Sequence, residues 1–268
     1  MKEDLLEKIQ AADMILIGLG EEFDELHLCK KEAGYQEGKK ILEDADKSFL
    51  LPVYHSVYRK KDDERVKQVL EKLAESIADK NYFVVATSEN EIIRKIPWRQ
   101  ERLTLPCGGF HKKQCVRGCK EGLTELGAEE QESLSAQMRE FCEFVKQGRS
   151  YELSVFDDVL GKCPGCGAQL ILNNVYTEHY DENGYLESWQ KYRNWLQGTL
   201  NRKLLILELG VGLWYPTVIR WPFEKMAFYN QKSVFYRVHE SLYQLTEDLQ
   251  GKAVSIAKNS IDWLESMC

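Results

Sequence analysis

Eight cysteines occur in the chain, and four of them stand in two close pairs. Cys115 and Cys119 bracket three residues in CVRGC, and Cys163 and Cys166 bracket two in KCPGCG. Two such pairs, separated by a segment long enough for helices, supply the four thiolates that one tetrahedral structural Zn²⁺ requires. Gly118, Pro164, Gly165 and Gly167 allow the tight turns that face both sulfurs of a pair toward one ion. The alternative is free or disulfide-paired thiols. Cys29, Cys107, Cys142 and Cys268 show no pairing logic, and no secretory signal supplies an oxidising compartment, so zinc is favoured. Beyond the cysteines, two glycine turns follow apolar runs. Gly18-Leu19-Gly20 ends MILI, and Gly210-Val211-Gly212 ends LLILEL. A glycine turn at the end of a buried strand is where a nucleotide-binding sheet lets backbone approach phosphate. A polar set, Thr87-Ser88-Glu89-Asn90-Glu91, ends a third apolar run, YFVVA. Cys107, followed by Gly108-Gly109 and near His111 and Lys112, is accessible enough for a nucleophile, yet no residue is evident to orient a base beside it, which favours a non-catalytic thiol.

The net charge of −7 excludes a general nucleic-acid binder and an anionic membrane surface as partners. No apolar run approaches the roughly 20 residues of a membrane span, and MKEDLLEKI reads as a charged helix, so a cytoplasmic location is expected. The run Arg59-Lys60-Lys61 is cancelled by Asp62, Asp63 and Glu64 and reads as a solvated turn. His55 and His179 are isolated, with surface or hydrogen-bonded core roles as the default.

The elements that position these residues follow from periodicity. Residues 2–12 read as a helix, Met14–Ile17 as a buried strand, and the turn at Gly18 to Gly20 as the start of a second helix. Helical patterns run to about residue 80, and Tyr82–Thr87 is a second buried strand. The chain leaves the sheet near Leu103–Leu105, passes through the cysteine module with an amphipathic helix (EEQESLSAQMREFCEFVKQG) and a Tyr/Trp-rich helix (DENGYLESWQKYRNWLQGTL), then returns. Tyr185, Trp189, Tyr192 and Trp195 recur at helical spacing and read as packing. Leu204–Leu207, Ser233–Val238 and Ala253–Ala257 are three further strands. The expected architecture is α/β, a Rossmann-like parallel sheet over 1–106 and 201–268 with a small zinc-binding lobe inserted at 107–200.

The two glycine turns, the inserted cysteine module and the runs YFVVATSEN, CPGCGAQLILNN and LELGVGLWYPTVIRWPF together resemble the sirtuins, most closely their macrodomain-linked branch, over nearly the whole chain. The resemblance implies an NAD-dependent protein ADP-ribosyltransferase or deacylase, with a lipoyl-carrier protein or other acylated protein as partner. It implies that Gly18, Gly20, Thr87, Gly210, Gly212 and His239 bind NAD⁺ or a fragment such as ADP-ribose. It also implies that Glu89, Glu91 and Cys107 stand where the family keeps its catalytic residues, Cys107 lying eight residues before the first zinc ligand.

At those positions the residues depart from the family's pattern. The first turn is followed by Glu21, Glu22 and Phe23 in place of small residues. Acids in a first helical turn usually complement the helix dipole; here they also compete with phosphate for the same donors, and each close like-charge pair costs on the order of a few kcal/mol. Phe23 is expected to fill space at the nicotinamide end. In the Thr-x-Asn-x-Asp motif Thr87 is kept, Glu89 replaces the asparagine and Glu91 the aspartate. A thiol at Cys107 replaces the family's His or Gln and is a poor base near its usual pKa of about 8.5. Weakened NAD binding with reduced or lost catalysis is therefore the expectation. An active enzyme using altered residues and a zinc-ribbon adaptor with no nucleotide site are the alternatives.

Overall fold

In the computed structural model, which describes residues 2–59, 63–249 and 251–267, the chain folds in the following order. It begins α1 (Lys2–Ala11), β1 (Met14–Leu19), α2 (Leu26–Cys29), α3 (Tyr35–Asp44), α4 (Leu51–Arg59), α5 (Asp63–Ser76) and β2 (Asn81–Ala86). Then come α6 (Ile92–Lys95), β3 (Leu103–Thr104), β4 (Gly108–Cys115), β5 (Thr124–Glu125), α7 (Ala128–Lys146), α8 (Ser154–Leu160), β6 (Leu170–Asn174) and α9 (Leu186–Gln197). It ends β7 (Leu204–Leu209), α10 (Arg220–Tyr229), β8 (Val234–Val238), β9 (Ala253–Ile256) and α11 (Ser260–Met267). The long apolar strands demand burial on both faces, and the sheet provides it. Six strands run parallel in the order β3-β2-β1-β7-β8-β9. Alternate residues divide between two cores: Ile15, Ile17, Val84 and Leu207 meet α1, α5 and α11, while Leu16, Phe83, Val85 and Ile206 meet α9 and α10. The strand order reverses between β1 and β7, the point at which a doubly wound sheet opens its ligand crevice.

A second sheet, β5-β4-β6, is antiparallel and carries the cysteine pairs. Its core joins α7 and α8 to Cys29, Tyr35, Leu42 and the segment Phe49–Tyr54, so residues 29–54 pack with the small lobe although the sequence placed them with the large sheet. The Tyr/Trp helix does the reverse. Within the range assigned to the inserted lobe, α9 sets Tyr192 and Trp195 against Phe83 of the large sheet, with ring centroids 5.2 and 5.8 Å away. Its aromatics are packing, as their spacing predicted.

The helix expected after Gly20 is largely absent. Glu21–Asp24 form one 3-10 turn, Glu25 adopts a left-handed φ of 47°, and α2 is a single turn. Three acidic side chains in that stretch are held by donors elsewhere in the fold, which bends the backbone away from a regular helix. Arg59 is a second correction. It ends α4 buried, rather than lying in a solvated turn, while Lys60, Lys61 and Asp62 lie outside the described residues.

Candidate zinc centre and nucleotide cleft

β4 delivers Cys115 at its last residue, and a turn through Gly118, whose φ is +73°, brings Cys119 back beside it. Gly122 lies so close that a Cβ there would stand 2.5 Å from that of Cys115. Cys163 and Cys166 occupy the turn before β6, closed by Gly167. The four sulfurs lie within 4.8 Å of one another, and those of Cys115 and Cys166 are 3.5 Å apart. Tetrahedral zinc with thiolates at about 2.3 Å needs sulfurs roughly 3.8 Å apart, so the cluster fits. Burial pushes the Cys115 thiol up, but the backbone N–H groups of Cys119 and Arg117 and the neighbouring thiols outweigh it and leave it at about 7. Its neighbours shift the other way, Cys119 raised by the thiols of Cys166 and Cys115 and Cys163 raised by burial, so a metal bound there would displace protons from those sulfurs. Bound there, the ion would tie β4 to the 163–166 turn.

The cleft is built from the C-terminal ends of β1, β2 and β7. Gly20 packs directly on the backbone of Gly210 and Val211, where any Cβ would collide. Gly210, at φ +63°, and Gly212 face the first two acids instead of open space. Glu21 Oε2 accepts the Gly212 N–H at 2.6 Å. Glu22 accepts the N–H groups of Glu240 and Ser260, both at 2.8 Å, through its two oxygens. Instead of the donors of their own first turn, these acids take donors across the cleft, beyond β7 and β8 and at the start of α11. His239 stands beside them. Its Nδ1 accepts from Ser241 and Leu242 N–H at 3.1 Å, so the ring is neutral there and its 3.3 Å approach to Glu22 is not an ion pair. Burial and Arg220 lower its pKa, in agreement.

Beneath the turn, Arg220 donates to the carbonyls of Val211 and Leu242 and lies 3.6 Å from Glu208. Glu208, fully buried in β7, is held bidentately by Arg237 of β8 at 2.6 and 3.0 Å. Arg220 is an ion-pairing residue that supports the Gly210–Gly212 turn.

At the inner end, Thr87, Glu89 and Cys107 converge on a cavity of about 30 Å³. Glu89 is buried. Burial works to raise its pKa, but His55 Nδ1, Arg59 at 3.7 Å and Tyr176 outweigh it and hold it low. Tyr35 hydroxyl meets His55 Nε2 at 3.1 Å, which continues the chain of contacts into the small-lobe core. His55 thus has the hydrogen-bonded core role that its isolation in sequence suggested, and nothing in the sequence pointed to Glu89 as its partner. Asp24 accepts from Ser88 Oγ and Glu89 N–H, and burial together with Glu89 pushes its pKa well up. Cys107 lines the cavity, but burial and then Glu21, Asp24 and Glu89 push its thiol far up, which removes the thiolate a nucleophile needs. Neither His111 nor Lys112 counters this. His111 pairs with Glu91 at 3.2 Å and Lys112 donates to the Gly184 carbonyl at 2.6 Å.

Two residues lie apart from this cavity. Glu91 accepts from Phe110 N–H at 3.1 Å and faces a separate cavity bordered by Arg59 and Arg139. Phe23 is fully buried in the core with Leu19 and Ile93, so it does not fill the nicotinamide end as expected. Trp214 and Tyr215, from the turn after Gly212, close the cavity instead.

No family model matches the chain. A protein ADP-ribosyltransferase of Staphylococcus aureus is 21% identical over 104 residues, 38% of this chain and 33% of that one. A probable bifunctional ADP-ribose hydrolase/ADP-ribosyltransferase of Fusarium oxysporum f. sp. cubense is 25% identical over 148 residues, 54% of this chain and 23% of that one. The matches thus span a third or less of these curated relatives. Among solved structures, a mutant Sir2 homologue in complex with ADP ribose superposes with a TM-score of 0.56 at 12% identity, covering 100% of this chain and 95% of that one. Sir2Tm bound to a propionylated peptide gives 0.51 at 10% identity, covering 98% and 95%. Together with the doubly wound sheet and the four-cysteine lobe, these likenesses establish that the chain has the sirtuin fold.

Proposed function

We propose that this chain is a divergent sirtuin relative whose nucleotide cleft is occupied by its own acidic side chains, so that NAD⁺ binds weakly and NAD-dependent chemistry is reduced or lost. The supporting observation is the capture of three backbone N–H groups around the cleft, those of Gly212, Glu240 and Ser260, by Glu21 and Glu22. A nucleotide phosphate has to displace a carboxylate before it meets such a donor, and it meets like charge on arrival. By the resemblance Cys107 takes the position of the family's base, and burial pushes its thiol well up. Calorimetric titration with NAD⁺ and ADP-ribose tests the reading. Wild-type protein should show no saturable heat below millimolar ligand, and the double substitution Glu21→Ala with Glu22→Ala should improve ADP-ribose affinity by about tenfold or more. Micromolar NAD⁺ binding by wild type would refute it.

A second reading is favoured by the names of the two curated relatives and by the retained Thr87 and Gly210-Val211-Gly212 turn. In it the protein transfers ADP-ribose from NAD⁺ to a carrier protein, such as a lipoylated one, with Glu89 in place of the usual asparagine. Incubation with biotinylated NAD⁺ and lipoylated carrier should then label the carrier, and Glu89→Ala should abolish the labelling.

A further inference from the structure

Another cavity lies at the opposite end of the large sheet from the cleft, under the end of α1. Leu204 and Leu205 open β7 there and Val234 opens β8. The cleft follows Leu209, roughly 17 Å farther along β7 at about 3.3 Å per residue. The cavity has its origin in α1. Leu5 and Ile9 are buried against the sheet core, and the same helical row continues with Ala12, where a methyl group stands in place of a long apolar side chain. Ala11 beside it is equally small. The space left is about 230 Å³, with an apolar floor of Ala11, Ala12, Leu204, Leu205 and Val234.

Its rim is cationic. Lys8, Lys203 and Lys232 border it from three separate segments, and no carboxylate is among the lining residues, in a chain whose net charge is −7. Asp13 precedes β1 nearby, but its carboxylate accepts the Lys203 backbone N–H at 2.9 Å. Lys8 lies in the last turn of α1, where its charge complements the helix dipole, and it has a partner of its own. The amines of Lys203 and Lys232 form no hydrogen bond or ion pair among the described residues; only their backbone N–H groups are engaged, by Asp13 and Asn230. An apolar floor with unpaired ammonium groups at its edge is complementary to an apolar chain that ends in an anion. A carboxylate offers two oxygens, one for each of the two amines. A cationic head is repelled by the rim, and a neutral molecule leaves it unmatched. At about 30 Å³ per water in the liquid, the cavity equals roughly eight waters and suits about eight to ten heavy atoms. We propose that it binds a medium-chain carboxylate of about eight carbons. The tail lies on Leu204, Leu205 and Val234, and the head lies between Lys203 and Lys232. The site is separate from the cleft and does not depend on what the cleft holds.

The test is calorimetric titration of the full, zinc-loaded chain with octanoate below its micellar range, beside butanoate, octanol and octylammonium. Octanoate should bind saturably at one site, and octanol at least about tenfold more weakly. Each methylene removed on the way to butanoate should weaken binding about threefold to fourfold, as the transfer of one buried CH₂ requires. Ala11 is exposed at the end of α1, so Ala11→Phe should fold as wild type does, fill the cavity and abolish binding. The double substitution Lys203→Gln with Lys232→Gln, both at exposed positions, should weaken octanoate about tenfold or more. No saturable heat with octanoate, equal affinity for butanoate or octylammonium, or a double-lysine variant indistinguishable from wild type overturns the site. Should Ala11→Phe fail to fold, the double-lysine variant decides.

Discussion

The cysteine cluster and the cleft at the ends of β1, β2 and β7 belong to the same fold, and they differ in where their polar groups find partners. The four sulfurs converge on one point, and the groups directed at Cys115 from close by are the backbone N–H groups of Arg117, at 3.3 Å, and Cys119. In the cleft, donors that line the strand ends already hold Glu21 and Glu22. One site is arranged to be completed from outside and the other is completed from within. A retained architecture therefore says little about a retained ligand, and the state of each donor and acceptor says more.

The sharpest way to break the comparison is to remove the metal. Chelation, or Cys163→Ser, should cost the protein several kcal/mol, given that structural zinc contributes on the order of 10 kcal/mol to small zinc domains. Hydrogen exchange should show protection lost in β4, β6, α7 and α8 while β1, β2 and β7 keep theirs. Retention of protection in the small lobe at zero metal content would mean that the cluster is not a metal site. Next in size is Arg237→Ala. It removes both hydrogen bonds to the buried Glu208 carboxylate and leaves it only Arg220 at 3.6 Å, and a urea midpoint should report a loss of about 3 kcal/mol. A loss below about 1 kcal/mol, the range of a surface pair, would mean that the support under the Gly210 turn is dispensable.

The smallest effect concerns protons. The folded pKa of Asp24 is raised by burial and by Glu89, so its contribution is full below the ordinary carboxyl range near 4 and declines as pH rises through the folded value. Glu89 is depressed, so its contribution is present above that range and is lost as pH falls. Asp24→Asn keeps the Oδ1 acceptor for Ser88 and Glu89 N–H. It should raise stability at neutral pH by about 1 to 2 kcal/mol and flatten the decline above the ordinary carboxyl range, leaving the acid limb governed by Glu89. Denaturant midpoints at a series of pH values measure both limbs. An unchanged slope would place the elevated proton elsewhere.

Much of this contrast was legible from residues alone. The positions of the buried strands, both glycine turns and the cysteine spacing are local patterns, and continuous apolar runs and four-thiolate chemistry carry them directly into structure. What depends on contacts between distant segments was not legible. Phe23 reads as a cleft residue by position, yet the 3-10 turn directs it into the core. Arg59 sits among charges in sequence and is buried because Glu89 and Asp63 lie near it in space. His55 gave no sign of its carboxylate partner, which arrives from a different lobe. The lobe boundary blurred for the same reason, since the apolar faces of α3 and α4 are satisfied by α7 and not by the sheet they precede.

Glu22 also bears on the order in which the molecule assembles. Its two backbone partners lie 218 and 238 residues along the chain, among the longest-range contacts in the fold. Contacts of that separation carry a high loop-closure cost and form after local structure is in place. During synthesis the first glycine turn emerges long before Ser260 exists to meet it. The newborn sheet thus passes through a stage in which Glu22 and its future partners are solvated, and docking of the C-terminal helix is the event that seals the cleft.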